Sequence, residues 1–233
     1  MTKTIYAHRG LHSPGVPENS LAAAEDAIAR GLGIECDIQR SNAGAAIVFH
    51  DWELDRLTDG KGLVGEKSTD FLLGLSLLGT DKTLVLLNDF LRFVAGRTPV
   101  LIEIKSKPDY DVDASCAEVA QALADYAGNH AVMSFDPRVP EWFASHSPQT
   151  CRGLVGTDSY LNGFEHMWRD ASVIEQADPD FLAIDHRDLT KGEAASWRAA
   201  GKPLLSWTIR NGEDWVNAAR LADALIAEGE ALA

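Results

Sequence analysis

The feature that most constrains this chain is a regular alternation of short apolar runs with helix-like segments. Several runs are apolar almost throughout, as strands buried on both faces are. The alternation predicts repeated strand–helix units and therefore a parallel sheet, open or closed. The nine apolar runs cover residues 4–8, 34–38, 46–50, 100–105, 131–135, 153–156, 181–185, 204–209 and 224–227. The helical segments cover residues 21–30, 88–95, 115–127, 139–146, 167–176, 192–199 and 213–222.

The second and third runs are too close in sequence to be parallel neighbours. Only seven residues separate Ile38 from Ala46, too few for a parallel crossover, so these runs form a hairpin. The eight parallel strands that remain fit a (β/α)8 barrel, also called a TIM barrel. An open doubly wound sheet is the alternative, but no glycine-rich dinucleotide turn supports it. We expect a single barrel domain over residues 1–233, with an excursion at residues 51–82 above the barrel.

The hairpin brings two distant polar residues together. A tight turn at Ala43 and Gly44, where glycine can take a positive φ, pairs residue i with residue 87 − i. This register predicts that His50 lies directly opposite Asp37, with their β-carbons about 5 Å apart.

Two neighbouring strands carry ionisable residues at alternate positions. Glu35 and Asp37 point to one face of their strand, and Glu103 with Lys105 repeats the arrangement on the next barrel strand. In a barrel these residues lie inside the carboxyl-end rim, where active sites are built. Three converging carboxylates repel one another, and a hard divalent cation such as Mg²⁺ or Ca²⁺ would neutralise them. The alternative is a structural network in which these acids form ion pairs with Arg9 and Lys105. The repetition of the alternating arrangement on two adjacent strands favours the metal site.

Two histidines flank the acidic residues. His8 ends the first strand and His50 ends the return strand of the hairpin. Imidazole titrates near neutral pH, so this pair suits a general acid and a general base. Arg9 has forked donors that could hold a phosphate or a carboxylate, and Lys105 could stabilise an anionic transition state.

Charge and composition exclude some classes of partner. The net charge of −14, from 35 acids and 21 bases, argues against a nucleic-acid surface and against docking on anionic lipid. The amino-terminal segment has no apolar core of a signal peptide, and no apolar run is long enough to span a membrane. A cytoplasmic location is therefore expected. The three cysteines are widely spaced and are interpreted as reduced, packed thiols.

The strand-end residues belong to longer motifs. These are HRG at 8–10, PENS at 17–20, ECD at 35–37, HD at 50–51 and EIK at 103–105. In this order and spacing they resemble the glycerophosphodiester phosphodiesterase family. The resemblance is close over residues 7–65 and returns at 101–105, 134–136 and 207–208.

The resemblance implies a (β/α)8 barrel that hydrolyses glycerophosphodiesters to glycerol 3-phosphate and an alcohol. It implies that Glu35, Asp37 and Glu103 hold one divalent metal ion, Mg²⁺ or Ca²⁺. His8 and His50 would be the acid/base pair. One histidine would activate the glycerol 2-hydroxyl for attack on phosphorus, the other would protonate the leaving alcohol, and water would open the resulting cyclic phosphate.

The resemblance also implies roles around the phosphate. Arg9 and Lys105 would contact it, and Trp207 would line the pocket beside the glycerol or the leaving group. Glu18 and Asn19, in the turn after the first strand, would fix the site from the rim. The partner is then a small-molecule glycerophosphodiester.

Two alternatives of function stay open at this point. One is cleavage of lysophospholipids in the manner of a lysophospholipase D, which an exposed apolar lip beside the pocket would favour. The other is a barrel that binds ligands without turnover. The sequence leaves open the leaving alcohol, the metal, which histidine is the acid, and whether the chain forms a homo-oligomer. The family often ends its last strand in aspartate, whereas this chain has Glu228, to which no role is assigned.

Overall fold

The computed structural model describes residues 3–159, 163–164 and 166–233. Its strands are β1 Thr4–Ala7, β2 Gly33–Arg40, β3 Ala46–Val48, β4 Val100–Ile104, β5 His130–Ser134, β6 Cys151–Gly156, β7 Phe181–Asp185, β8 Leu204–Ile209 and β9 Ala224–Ala227. Its α-helices are α1 Leu21–Ala29, α2 Thr69–Leu73, α3 Leu87–Val94, α4 Val112–Leu123, α5 Arg138–His146, α6 Ala171–Ala177, α7 Gly192–Ala199 and α8 Gly212–Ala219. Short 3-10 helices cover Val64–Glu66, Met167–Arg169 and Gly229–Leu232.

Eight parallel strands close into the predicted barrel, with helices between successive strands. The ring closes because β1 pairs with both β9 and β2. Strand β2 is long enough to take two partners along one edge: Ile34 pairs with Ala7 of β1, whereas Ile38 pairs with Val48 of β3. The predicted hairpin therefore extends above β1 and carries the chain to the carboxyl-end rim.

The predicted register of this hairpin is wrong by one residue. Ile38 pairs with Val48, so residue i faces residue 86 − i. Asp37 consequently lies opposite Phe49, whose N–H donates to the Asp37 carbonyl oxygen at 2.9 Å, and not opposite His50.

The length of the connecting loop explains the shift. The Ser41 carbonyl accepts from the Gly44 N–H at 3.0 Å, and the Ser41 N–H donates to the Ala45 carbonyl at 3.0 Å. Residues 42–44 thus form a three-residue loop in which Gly44 takes the left-handed conformation, with φ of +96°. The prediction assumed a two-residue turn, which displaces every pair by one position.

The barrel interior and the outer layer are packed separately. The interior below the rim is filled by a cluster made of Leu101, Met133, Val155, Phe181, Ala183, Leu205, Ala224 and Ile226. Two further clusters pack the opposite faces of the strands against the helices. Alternate strand residues therefore point inward, and the polar positions nearest the carboxyl ends lie on top of an apolar floor.

Residues 52–82 form an excursion with a core of its own. Helix α2, which is absent from the helical segments predicted from the sequence, lies within it. Its buried core is completed by Ile47 of β3 and by two flanking residues, and comprises Ile47, Phe49, Leu54, Val64, Leu72, Leu75, Leu77 and Leu84. Leu63, Phe71 and Leu78 are instead exposed.

Two kinds of local signal mark the helix ends. Ser20 caps α1 by accepting from the Ala23 N–H at 3.1 Å, and Gly31 and Gly201 take positive φ beyond their helices. The single helix predicted over residues 167–176 is wrong. Asp170 divides it into a 3-10 turn and α6, because its carboxylate caps α6 at Ser172.

Two other expectations bear on the outer surface. Cys36 and Cys116 are buried free thiols as expected, but Cys151 is exposed, since it is the first residue of β6. Within the described ranges, no helix combines the length and the apolar character needed to cross a membrane.

Candidate active site

The candidate site lies at the carboxyl end of the barrel. His8 and Arg9 directly follow β1, Glu35 and Asp37 lie in β2, and Glu103 lies near the end of β4. A cavity of about 680 Å³ opens above them, and one wall belongs to the excursion. Its lining includes seven of the predicted site residues: His8, Arg9, Asp37, His50, Glu103, Lys105 and Trp207.

The three predicted metal ligands form one buried cluster. Carboxylate oxygens of Glu35, Asp37 and Glu103 all lie within 4.8 Å of one another. Burial raises the pKa of Glu35 well above its usual value, and the charges of Asp37 and Glu103 raise it further. Burial also disfavours the charged form of Asp37, but the charges of His50 and Lys105 outweigh it and hold its pKa well below the usual range.

The donor set fits a hard divalent cation. Glu35 Oε1 is buried and has no hydrogen-bond partner among the residues that the structure describes. A buried carboxylate oxygen without a donor is costly, and a cation would satisfy it while relieving the repulsion within the cluster. Carboxylate oxygens are also the ligands that Mg²⁺ and Ca²⁺ prefer. The cluster can therefore hold one such ion.

Two basic residues also contact this cluster. Lys105 Nζ lies 2.8 Å from Glu103 Oε1 and 3.5 Å from Asp37 Oδ1. Burial lowers the pKa of Lys105, but Glu103 and Asp37 outweigh burial, so its pKa lies above the usual value. Arg9 Nε lies 3.5 Å from Asp37 Oδ2, and the backbone N–H of Arg9 donates to Glu35 Oε2 at 2.9 Å. The ion pairs expected for a purely structural network are thus present. The unsatisfied oxygen of Glu35, which points to a metal, is present as well.

The turn after β1 orients these groups. Arg9 and Asn19 both have positive φ, of 56° and 54°. Asn19 clamps Asp37 on two sides: its Nδ2 donates to Asp37 Oδ2 at 2.9 Å, and its Oδ1 accepts from the Asp37 N–H at 3.1 Å. Glu18 accepts from Arg9 Nη1 at 2.7 Å. Both residues that were expected to fix the site therefore contact its charged groups directly.

His8 is held from the last strand of the barrel. Its Nδ1 lies 2.5 Å from Oε2 of Glu228, which directly follows β9. Arg210 Nε donates to the other oxygen of Glu228 at 2.7 Å, and His12 Nε2 lies 3.5 Å from Oε2. Burial lowers the pKa of His8, while the hydrogen bond to Glu228 opposes that shift.

His50 is held in the same way on the other side of the cavity. Its Nδ1 lies 2.7 Å from Oδ1 of Asp51, and Arg56 Nε donates to Asp51 Oδ2 at 2.5 Å. Gln39 Nε2 donates to the carbonyl oxygens of His50 and Asp51, both at 3.1 Å. His50 therefore reaches the site although it does not pair with Asp37 in the hairpin.

Trp207 lines the wall opposite the excursion. Its Nε1 donates to the Ala183 carbonyl oxygen at 2.9 Å, and its ring meets Phe135 edge-on at 5.4 Å between centroids. These two contacts fix the indole so that it presents an apolar surface to the cavity.

Sequence reasoning missed four residues that support the site. Glu228 follows a strand at the same rim, so the rule that identified the other acids could also have found it. Gln39 lies on the same face of β2 as Glu35 and Asp37, which is weaker evidence for a role in the site than the strand-end position of Glu228. The roles of Asp51 and Arg56 depend on the path of the excursion, for which the sequence holds no periodic pattern.

Comparison with known proteins agrees with this geometry. The sequence model of the Glycerophosphoryl diester phosphodiesterase family matches residues 8–227. A glycerophosphodiester phosphodiesterase of Bacillus altitudinis is 36% identical over 118 residues, and the match spans 46% of this chain and 46% of that protein. The protein YhdW of Bacillus subtilis (strain 168) is 27% identical over 216 residues, covering 89% of this chain and 86% of YhdW.

Solved structures show the same fold. A phosphodiesterase of Oleispira antarctica, in complex with the product sn-glycerol-3-phosphate, superposes with a TM-score of 0.82 at 22% identity, covering 96% of this chain and 92% of that one. A glycerophosphodiester phosphodiesterase of Thermotoga maritima gives a TM-score of 0.78 at 22% identity, covering 97% and 95%. Because the family model spans nearly the whole barrel, this chain belongs to the glycerophosphoryl diester phosphodiesterase family.

Proposed function

We propose that this protein hydrolyses glycerophosphodiesters to glycerol 3-phosphate and an alcohol, with metal-assisted acid–base catalysis. The observation that carries the proposal is the arrangement in one cavity of a three-carboxylate cluster and two histidines, each paired with its own carboxylate. Family membership supports the same reaction.

The acidic cluster is the proposed metal site. Glu35, Asp37 and Glu103 would hold one ion, Mg²⁺ or Ca²⁺, through their oxygens. Such an ion, when bound, supplies Lewis-acid neutralisation of the phosphate charge. Asn19 keeps Asp37 in its orientation through two hydrogen bonds.

The histidines are proposed to move the protons. Each ring has its Nδ1 against a carboxylate, Glu228 for His8 and Asp51 for His50. This pairing keeps a proton on Nδ1 and leaves Nε2 to exchange protons with the substrate. One histidine removes the proton of the glycerol 2-hydroxyl, which attacks phosphorus, and the other protonates the leaving alcohol. Water then opens the cyclic phosphate with the two roles exchanged.

The remaining predicted residues are proposed to bind the phosphodiester. Arg9 and Lys105 carry positive charge at the cavity floor and would contact the phosphate oxygens. Trp207 would pack against the glycerol or the leaving group, and Glu18 would hold the guanidinium of Arg9 in place.

One observation favours a second candidate function, cleavage of lysophospholipids. Leu63 lines the cavity and is 39% exposed, so the cavity has an apolar lip on the excursion. The acyl chain of a bound lysophospholipid could extend out of the cavity and pack against this lip.

The test is release of glycerol 3-phosphate from a panel of glycerophosphodiesters, measured with EDTA and then with added Mg²⁺ or Ca²⁺. We expect activity to be lost with EDTA and to return with one of the two metals. The His50→Ala variant should be inactive, whereas His146→Ala, which changes an exposed histidine of α5, should retain activity.

Other outcomes would change the proposal in defined ways. Full activity in EDTA would contradict the metal site. Turnover of lysophospholipids alone would select the second candidate. An absence of turnover on both substrate classes, with metal present, would leave a barrel that binds without catalysis. A cytoplasmic location stays a prediction from the sequence.

A further inference from the structure

The candidate site adjoins a second cavity, which is lined in part by the excursion. This outer cavity has a volume of about 580 Å³. It shares three wall residues with the active-site cavity, namely Trp52, Leu63 and Lys107. A substituent that extends from the inner cavity toward the outer one would therefore pass these three residues.

Lys107 is held firmly at this passage. Its ammonium nitrogen lies 4.1 Å from the centroid of the Trp52 ring, and Tyr110 meets the same ring edge-on at 5.4 Å. The Lys107 carbonyl oxygen accepts from Arg138 Nη2 and from the Tyr110 N–H, both at 2.9 Å. The backbone under this lysine is thus anchored on two sides.

The charge of Lys107 is not neutralised by a neighbouring acid. Within the part of the chain that the structure describes, no carboxylate forms an ion pair with it. Asp51, which also lines the inner cavity, already binds His50 and Arg56. Glu53 in the inner cavity, and Glu66 and Asp111 in the outer one, are exposed, so solvent and salt screen their charges more strongly.

We propose that Lys107 sets the specificity for the alcohol of the substrate, favouring uncharged polyol or anionic alcohols over quaternary ammonium alcohols. This inference rests on the proposed phosphodiester hydrolysis. The ammonium group repels a cationic alcohol and occupies a face of Trp52 on which a quaternary ammonium would stack. A polyol hydroxyl can instead accept a hydrogen bond from Nζ.

The test compares two diesters of similar size that differ in charge, glycerophosphoglycerol and glycerophosphocholine. The quantity measured is the ratio of their kcat/KM values, in which effects on folding or on the chemical step cancel. We expect wild type to favour glycerophosphoglycerol. In Lys107→Met, which keeps the aliphatic stem, the ratio should fall about five- to tenfold, since one repulsive charge is removed at short range.

Lys202→Met is the matched control. Lys202 also lies over a tryptophan, with Nζ 4.0 Å from the Trp197 ring centroid, but it precedes β8 at the opposite end of the barrel. Its replacement should leave the ratio unchanged.

A ratio in Lys107→Met equal to that of wild type would overturn the proposal. If wild type hydrolysed neither diester, the proposed function itself would fail. Calorimetric binding of the same two diesters to wild type and Lys107→Met would then test the charge preference directly, and equal relative affinities would overturn it.

Discussion

His8 and Glu228 lie 220 residues apart in sequence, yet Nδ1 of the histidine is 2.5 Å from Oε2 of the carboxylate. The contact exists because the barrel closes between β1 and β9, so that residues following the two strands become neighbours. Ring closure thus gives a histidine at one end of the chain its carboxylate partner from the other end.

Replacing Glu228 with Gln should displace the pH–rate profile. Burial lowers the pKa of His8 and Glu228 opposes that shift, so loss of the carboxylate should lower this pKa further. The limb governed by His8 should move to lower pH, whether His8 acts as acid or as base, and kcat should fall about 100-fold. The measurement is kcat/KM across pH, with the exposed Glu230→Gln as control. An unmoved profile would show that Glu228 does not act through His8.

Replacing Glu35 with Gln should stabilise the protein without metal and abolish its response to metal. The pKa of Glu35 is raised, so ionisation of this group costs stability at neutral pH; the cost shrinks as pH falls below that pKa and is gone below the unfolded value of about 4. In EDTA at pH 7 the variant should therefore melt higher than wild type, and the difference should shrink on acidification. Added Mg²⁺ or Ca²⁺ should raise the Tm of wild type only.

The control for this experiment is Glu175→Gln, which removes an exposed carboxylate of α6. It should behave as wild type does in both conditions. A Glu35→Gln variant that still gained stability from metal would place the ion elsewhere.

Replacing Arg56 with Ala should weaken the site and make the stability of the protein less dependent on pH in the acid range. Arg56 bridges Glu18, which holds Arg9, and Asp51, which holds His50. Loss of this bridge should lower kcat/KM about tenfold through misplacement of the groups that contact the substrate. The exposed Arg92→Ala variant, which loses a pair with Asp89 on α3, should keep full activity.

The acid response follows from the same contacts. Burial raises the pKa values of Asp51 and Glu18, but the hydrogen bonds from Arg56 help to hold both below their usual values. A lowered pKa contributes stability above the unfolded value of about 4, and this stability is lost as pH falls further. Urea unfolding between about pH 5 and pH 2 should show a smaller loss of stability in Arg56→Ala than in wild type. An equal loss of stability in the two proteins would contradict the inference that Arg56 lowers the pKa values of Asp51 and Glu18.

Replacing Gly10 with Ala should destabilise the turn that carries Arg9. Gly10 has φ of +76°, and an added β-carbon would lie 2.7 Å from the β-carbon of Ala23. We expect the free energy of unfolding to fall by about 2–4 kcal/mol, from backbone strain and overpacking together. Gly15→Ala, with φ of +85° and open space around it, should lose only about 1 kcal/mol. Equal losses in urea unfolding would show that the contact with Ala23 is relaxed without cost.

Local patterns account for the parts of the site that were predicted from sequence. Glu35, Asp37 and Glu103 were placed together because side chains alternate along a strand and parallel strands share one carboxyl end. The hairpin was predicted because its connection is too short for a crossover, although the loop conformation at Gly44 shifted its register. Such a shift moves pairs by one position, and no local pattern distinguishes a two-residue from a three-residue loop here.

The sequence by itself determined the barrel, the rim on which its acids lie, and the two histidines beside them. These features follow from the periodicity of the side chains and the direction of the strands, both of which can be recognised within short stretches of sequence. Only the tertiary structure decided that Glu228 binds His8, that Arg56 joins Glu18 to Asp51, and that Lys107 stands between two cavities. These contacts depend on ring closure and on the path of the excursion, which no local spacing specifies.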